Sequence, residues 1–188
     1  LFQSTFFFFF GNIKGEDSLI EYLTMKNTIL WYDLETFGLN PRYDRIAQAA
    51  AIRTDMDLNV IDQPLLLYSK LSPDYLPVPE SCLVTGITPQ LVNQMGIKES
   101  EMIDRLLSEM MKSGTITTGF NSIGFDDECI RSTLYRNLYD PYEREYSNGC
   151  SRWDILNLVR ATRDLRPQGM VFDKKNPETG FTSFKLTD

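Results

Sequence analysis

Two carboxylates stand two residues apart in ILWYDLETFG, residues 29–38, where an apolar alternation ends. On a β-strand, residues two apart face the same way, so Asp33 and Glu35 would lie side by side. Their charges repel unless something positive lies between them. Such a pair is either solvated at a strand end or holds a cation. A second acidic group falls in GFNSIGFDDE, residues 119–128, where a strand ends, a short loop turns and Asp126 opens a helix. Taken alone, Asp126 or Asp127 reads as a helix cap, because a carboxylate satisfies the free N–H groups there. Joint occurrence is more specific. Magnesium takes oxygen ligands and commonly uses one or two carboxylates plus substrate phosphate oxygens. Two metals about 4 Å apart can activate a water and stabilise the leaving oxygen in phosphodiester hydrolysis. That chemistry needs a same-face acidic pair and another carboxylate from a separate element. Asp33, Glu35 and Asp126 supply the set.

The elements that must position these groups follow from periodicity and turn signals. Residues 28–34 read as a first strand, bounded by the turn-like Gly38-Leu39-Asn40-Pro41. Residues 46–54 and 65–71 read as two more, and the short links predict an antiparallel meander. The Pro-rich SPDYLPVPES predicts a connector without regular structure. Thr88-Pro89 starts a helix, with a hydroxyl cap and a proline in the first turn. Ser100 is placed as the cap of the next, whose Ile103, Leu106, Leu107, Met110 and Met111 share one face and which Gly114 ends. TITTGF, residues 115–120, reads as a strand. Residues 126–139 read as a helix with Ile130, Leu134 and Leu138 inward, and 153–165 as another, closed by Arg166-Pro167. The order βββ-α-β-α-α predicts an α/β fold, a mixed sheet covered by helices.

Composition limits the chemistry. The 188 residues, 42% of them hydrophobic, fit one domain with a sizeable core. A net charge of −7 disfavours gripping nucleic acid by bulk charge, while leaving room for a local basic track. Histidine is absent, which removes the commonest general base and transition-metal ligand, so the chemistry must rest on carboxylates. Cys82, Cys129 and Cys150 are odd in number and lack C-x-x-C spacing. They predict reduced thiols in a cytoplasmic protein, with neither a disulfide framework nor a zinc site. No apolar run is long enough to span a membrane.

At YDLETFG and GFNSIGFDD the chain resembles the first two motifs of the DEDD 3′→5′ exonuclease superfamily, whose fold is ribonuclease H-like. DRIAQAAAIRTD, DYLPVP, LVTGITPQ, LYRNLYDPY, SRWDILNLVRA and LRPQG follow one another as in the bacterial exodeoxyribonuclease I family, from about Met25 onward. The resemblance implies magnesium-dependent digestion of single-stranded DNA from its 3′ end, releasing 5′-mononucleotides, in DNA repair. It implies Asp33, Glu35 and Asp126 as ligands of two magnesium ions, with manganese as a substitute, and Glu35 also as a substrate contact. Arg131 and Arg160 match arginines that meet the strand, and Tyr142 and Tyr146 match aromatic positions, the relatives carrying tryptophan at the latter. Lys185 matches a substrate-binding arginine; lysine keeps the charge and loses the bidentate fork. Arg166 matches a basic residue that meets the acidic tail of single-stranded DNA-binding protein.

The sequence departs from the family pattern in its third motif. The family has a histidine and a final aspartate soon after the segment matching SFKLTD, and neither is present here. The expectation is an incomplete exonuclease domain over 25–188, truncated at its C-terminus and inactive or nearly so by itself. Two other readings stay open: a non-catalytic nucleic-acid or partner-binding remnant of the fold, and a DEDD exonuclease acting on RNA.

Residues 1–24 look unlike the rest. Their five consecutive phenylalanines match neither a helical nor a strand period, and no basic n-region or cleavage site marks a signal peptide. They read as a non-native or disordered extension before a natural start at Met25. Deleting them is expected to leave the thermal unfolding midpoint nearly unchanged; a large drop would show that the segment packs onto the domain.

Overall fold

The structure, a computed structural model, describes residues 27–166 together with 168 and 184. The expectations for residues 1–24, Met25 and Lys185 lie outside these residues.

Alternation along β1 (Thr28–Thr36) buries Leu30, Tyr32, Leu34 and Thr36 on one face and turns Trp31, Asp33 and Glu35 to the other. β1 pairs antiparallel with β2 (Ile46–Thr54), and β2 with β3 (Leu65–Tyr68), so the meander forms as the sequence predicts. β3 stops sooner than expected. At Ser69 the chain turns to an isolated parallel bridge with Ile97. The Pro-rich connector also departs from expectation. Its end enters a short helix, α1 (Pro79–Thr85), because Pro79 stands in the first turn and Gly86, in the left-handed conformation at φ 71°, closes the last.

α2 (Pro89–Met95) begins as expected, with the Thr88 hydroxyl accepting from the Leu91 N–H. α3 (Glu99–Met110) starts one residue earlier than the cap assigned to it. Ser100 lies inside its first turn, and Lys98 holds the capping position without a side-chain bond. Met102, Ile103, Leu106 and Met110 of α3 pack with Ile130 and Leu134 of α4 (Asp126–Arg136) against Leu30, Tyr32 and Leu34. Leu138 is the exception to the inward set. α4 ends at Arg136, and Leu138 takes a left-handed conformation and is 96% exposed.

β4 (Thr115–Gly119) runs parallel to β1, and β5 (Ser151–Asp154), missed in the sequence, runs parallel to β4 ahead of α5 (Ile155–Leu165). The sheet order is β3-β2-β1-β4-β5. At one end of the sheet the buried Arg53 ties three elements together. It donates to Thr28 Oγ1 (2.6 Å), Thr115 Oγ1 (2.9 Å) and the Glu109 carbonyl (2.5 Å). Asp33 and Glu35 lie toward the other end, where the chain leaves β1. There β1 is flanked by an antiparallel neighbour on one side and a parallel one on the other, the kind of junction where open α/β sheets leave a crevice.

Candidate active site

β4 delivers its chain to β1 at a close approach. A Cβ on Gly119 would lie 2.6 Å from the Tyr32 carbonyl oxygen and 3.0 Å from Ser122 Cβ, so only glycine fits. The chain then turns through Asn121, left-handed at φ 60°, and a single 3-10 turn, Ser122–Gly124, before α4 begins. Asp154, at the end of β5, holds this turn. Its carboxylate accepts from the Asn121 (2.9 Å), Ile123 (3.2 Å) and Leu156 (2.9 Å) N–H groups. One buried side chain thereby caps α5 and fixes the approach to α4.

Asp126 and Asp127 follow, both buried, and their surroundings are opposite. Asp127 is saturated with donors. Tyr32 Oη (2.6 Å) and Arg144 Nη2 reach one oxygen, and Arg152 Nη1 (2.6 Å) reaches the other. Burial pushes its carboxyl up, but Arg144, Tyr32 and Arg152 outweigh burial and hold it below the usual carboxylate range. Asp126 has no ion-pair partner among the described residues. Burial first, then the charge of Asp33, push its carboxyl up to about 7, against help from its own N–H and that of Leu34. Asp33 is raised by burial, and Glu35 by burial and then by Asp33. Asp33 thus stands electrostatically between Glu35 and Asp126, although Asp126 comes from a separate element. Asp126 is not the cap of α4, since Phe125 holds that position.

The donor set suits a divalent cation: hard oxygen ligands, each tilted toward protonation by burial or a like charge, without a lysine or arginine paired to them among the described residues. As they stand, no group of three acidic, cysteine or histidine side chains among the described residues is gathered tightly enough to hold an ion. Beside Asp33, the same sheet face bears a groove of about 670 Å³ lined by Trp31, Ala50, Ile52, Leu66, Phe120 and Ile155.

The other expected site residues divide between two places. Arg131 on α4 is engaged by Glu128 and by both oxygens of Glu145 (2.8 Å each), and its guanidinium lies 4.9 Å from the Tyr142 ring centre. It braces Tyr142 rather than standing free. Tyr142 and Tyr146, on either side of the 3-10 turn Glu143–Glu145, are exposed. Arg160 is exposed on α5, near the Phe184 ring, and Arg166 follows that helix. Sequence reasoning missed Tyr32, Arg144, Glu145, Arg152 and Asp154. The available signal was the run Asp126-Asp127-Glu128, more acids than one helix start needs.

A ribonuclease H-like sheet with acidic side chains around the end of its central strand defines a nuclease class, and comparison agrees. The exonuclease family profile matches residues 30–184, and the chain belongs to that family, whose members depend on divalent metal ions. Within it the chain is similar to exodeoxyribonuclease I. It is 47% identical over 170 residues to that protein of Buchnera aphidicola subsp. Acyrthosiphon pisum, covering 90% of this chain and 41% of the relative. Among solved structures it matches an ExoI/SSB-Ct complex with a TM-score of 0.82 at 43% identity, covering 86% of this chain and 35% of that one. It matches Escherichia coli exonuclease I in complex with a 5cy-dA13 oligonucleotide with a TM-score of 0.80 at 44% identity, covering 85% and 34%. The chain therefore spans well under half the length of these relatives.

Asp126 makes a testable demand on the metal-free fold. With its carboxyl at about 7 rather than 3.8, the folded protein holds a proton that the unfolded chain releases. This group's contribution to stability is largest below the unfolded value and is lost as pH rises toward the folded one. Asp126→Asn is expected to raise metal-free stability at about pH 8 by something of the order of 2 kcal/mol, with little gain near pH 4. If a divalent cation binds there, magnesium should raise the parent's unfolding temperature and raise that of the variant less. Thermal melts with chelator and with magnesium check both, and a variant less stable than the parent at pH 8 without metal would contradict the assignment.

Proposed function

We propose that this chain is the N-terminal part of an exonuclease domain that hydrolyses single-stranded DNA from the 3′ end and releases 5′-mononucleotides. The observation that carries this reading is the contrast at α4. Asp127 is fully paired, while Asp126, one residue away, has no counter-charge among the described residues and is coupled to Asp33. A fold that neutralises one carboxylate and sets its neighbour against another supports a place for cations. Asp33, Glu35 and Asp126 would hold magnesium, with manganese as a substitute, in a two-ion site. When bound, the metal would polarise the scissile phosphate and lower the pKa of an attacking water.

The chain's own residues supply orientation. Glu35, half-buried beside Asp33, would face the end of the strand being cut. Tyr142 and Tyr146 are exposed and would stack on bases without reading them, which suits a substrate of any sequence. Arg131 would act through Tyr142 by holding its ring, while Arg160 and Lys185 would contact phosphates. Arg166 would meet the acidic tail of single-stranded DNA-binding protein, a reading supported by the ExoI/SSB-Ct complex among the structural relatives. Cys82, Cys129 and Cys150 are free thiols, and no helix among the described residues is long and apolar enough to cross a membrane. The free thiols suit the cytoplasm.

The 188 residues contain no histidine to take the water's proton, and a positioned base contributes about 10²–10⁴-fold. The chain by itself is therefore expected to show trace nuclease activity with excess magnesium. Joined to a downstream region carrying the family's histidine and final aspartate, it should degrade single-stranded DNA from the 3′ end faster than RNA or duplex. Asp33→Ala or Asp126→Ala should then abolish that activity. Brisk digestion by the short chain that Asp33→Ala leaves untouched would overturn the site, and preferential digestion of RNA would overturn the substrate.

A further inference from the structure

We infer that Asp127 is a positioning residue, and that the charge network around it fixes both Asp126 and the segment that presents Tyr142 and Tyr146. The inference rests on the reading of Asp126 as a metal ligand. Three separate stretches of chain converge on Asp127: β1 through Tyr32, the 3-10 turn Glu143–Glu145 through Arg144, and β5 through Arg152. Arg144 is fully buried, an unusual place for a guanidinium, and its Nε and Nη1 have no hydrogen-bond partner among the described residues. Its ion pair with Asp127 is accordingly its main anchor, Glu145 Oε1 lying at 4.0 Å from the same nitrogen. The network continues outward. Arg152 Nε pairs with Glu145 (3.1 Å), Glu145 grips Arg131, and Arg131 lies over Tyr142.

The geometry gives this network one specific task. Asp126 occupies the first residue of α4, and no other side chain among the described residues donates to its carboxyl. The next residue, Asp127, has both oxygens held from outside the helix. The backbone of α4 at its first turn is thereby fixed in rotation against β1, and the direction in which Asp126 projects follows from it. Groups that orient metal ligands commonly act on metal affinity through hydrogen bonds to the ligand; here the hold passes through one peptide unit. Because Arg144 lies between Tyr142 and Tyr146, the same pair sets the distance between the carboxylates and the aromatic shelf.

Manganese affinity, measured by the loss of the free-ion electron paramagnetic resonance signal on titrating the 188-residue chain well below its unfolding temperature, separates positioning from mere stability. Asp127→Asn is expected to weaken Mn²⁺ about tenfold or more, and Arg144→Gln to weaken it in the same direction. The double variant should be no weaker than Asp127→Asn alone, because both act through one unit. Arg53→Met removes a buried arginine at the opposite end of the sheet. It should lower the unfolding temperature and leave Mn²⁺ affinity at the parent value. Parent affinity in a folded Asp127→Asn would overturn the inference. Should that variant not fold, parent affinity in folded Arg144→Gln and Arg152→Gln would overturn it equally. Asp126→Asn distinguishes the levels: if it still binds Mn²⁺ as the parent does, the metal reading falls and the positioning role falls with it. If it abolishes binding while Asp127→Asn does not weaken it, the positioning role alone falls.

Discussion

A carboxylate withdrawn from water without a counter-charge costs free energy, and the fold accepts that cost at Asp126 while avoiding it at Asp127. The two residues share a helix turn, a degree of burial and a chemical type. Their difference lies in what the rest of the chain brings to each. Tyr32, Arg144 and Arg152 all reach Asp127, whereas Asp126 meets Asp33. Other features of the site are arranged around this division. The turn held by Asp154 delivers α4 to its place, the glycine at 119 lets β4 close on β1, and the pleat of β1 presents Asp33 and Glu35 together. In a family that works with divalent ions, this uncompensated charge marks the place proposed for a cation.

The sheet separates holding from chemistry. Arg53 gathers the starts of β1 and β4 with the end of α3, and of the two strand hydroxyls it meets, that of Thr115 is fully buried. From there the two strands run parallel and diverge from regular pairing only at Gly119, next to the turn. The arginine cluster at one end is complete within the fold, while the carboxylates at the other are not. The Arg53 guanidinium is buried while its acidic partners Asp62 and Glu109 are partly exposed, and the cluster ties that end of the sheet together.

Much of this was legible in the sequence because the relevant signals are local. The start of β1, the span of β2, the helix start at Thr88-Pro89 and the placement of Ile130 and Leu134 depend on period and on turn chemistry within a few residues, while β1 runs two residues past its expected end, to Thr36. Asp33, Glu35 and Asp126 could be proposed because two acids on a strand and one at a helix start are themselves short patterns. β5 was missed because Ser-Arg-Trp-Asp offers four residues and little apolar alternation, and its strand character comes from pairing with β4. Leu138 was misplaced because helical period extends beyond the point where the left-handed turn ends α4. The Asp127 network was invisible for a different reason. Two of its members are ordinary arginines 17 and 25 positions along the chain, brought to the carboxylate by the crossover from β4 to β5, and the third, Tyr32, lies 95 positions back on β1. Arg131 shows the same limit, since nothing near it in the chain reveals that Glu145 will hold both arms of its guanidinium.

The central claim is that Asp33, Glu35 and Asp126 form one cation site. Anomalous diffraction from crystals of the chain grown with manganese tests it most directly, because the scattering marks the ion independently of any catalytic assay. The account predicts an anomalous peak at the end of β1, with oxygens of Asp33 and Asp126 at roughly 2.2 Å and Glu35 directed at the same ion or a second one nearby. Manganese bound elsewhere at full occupancy, with Asp126 still without a counter-charge beside an ion-free Asp33, would contradict it.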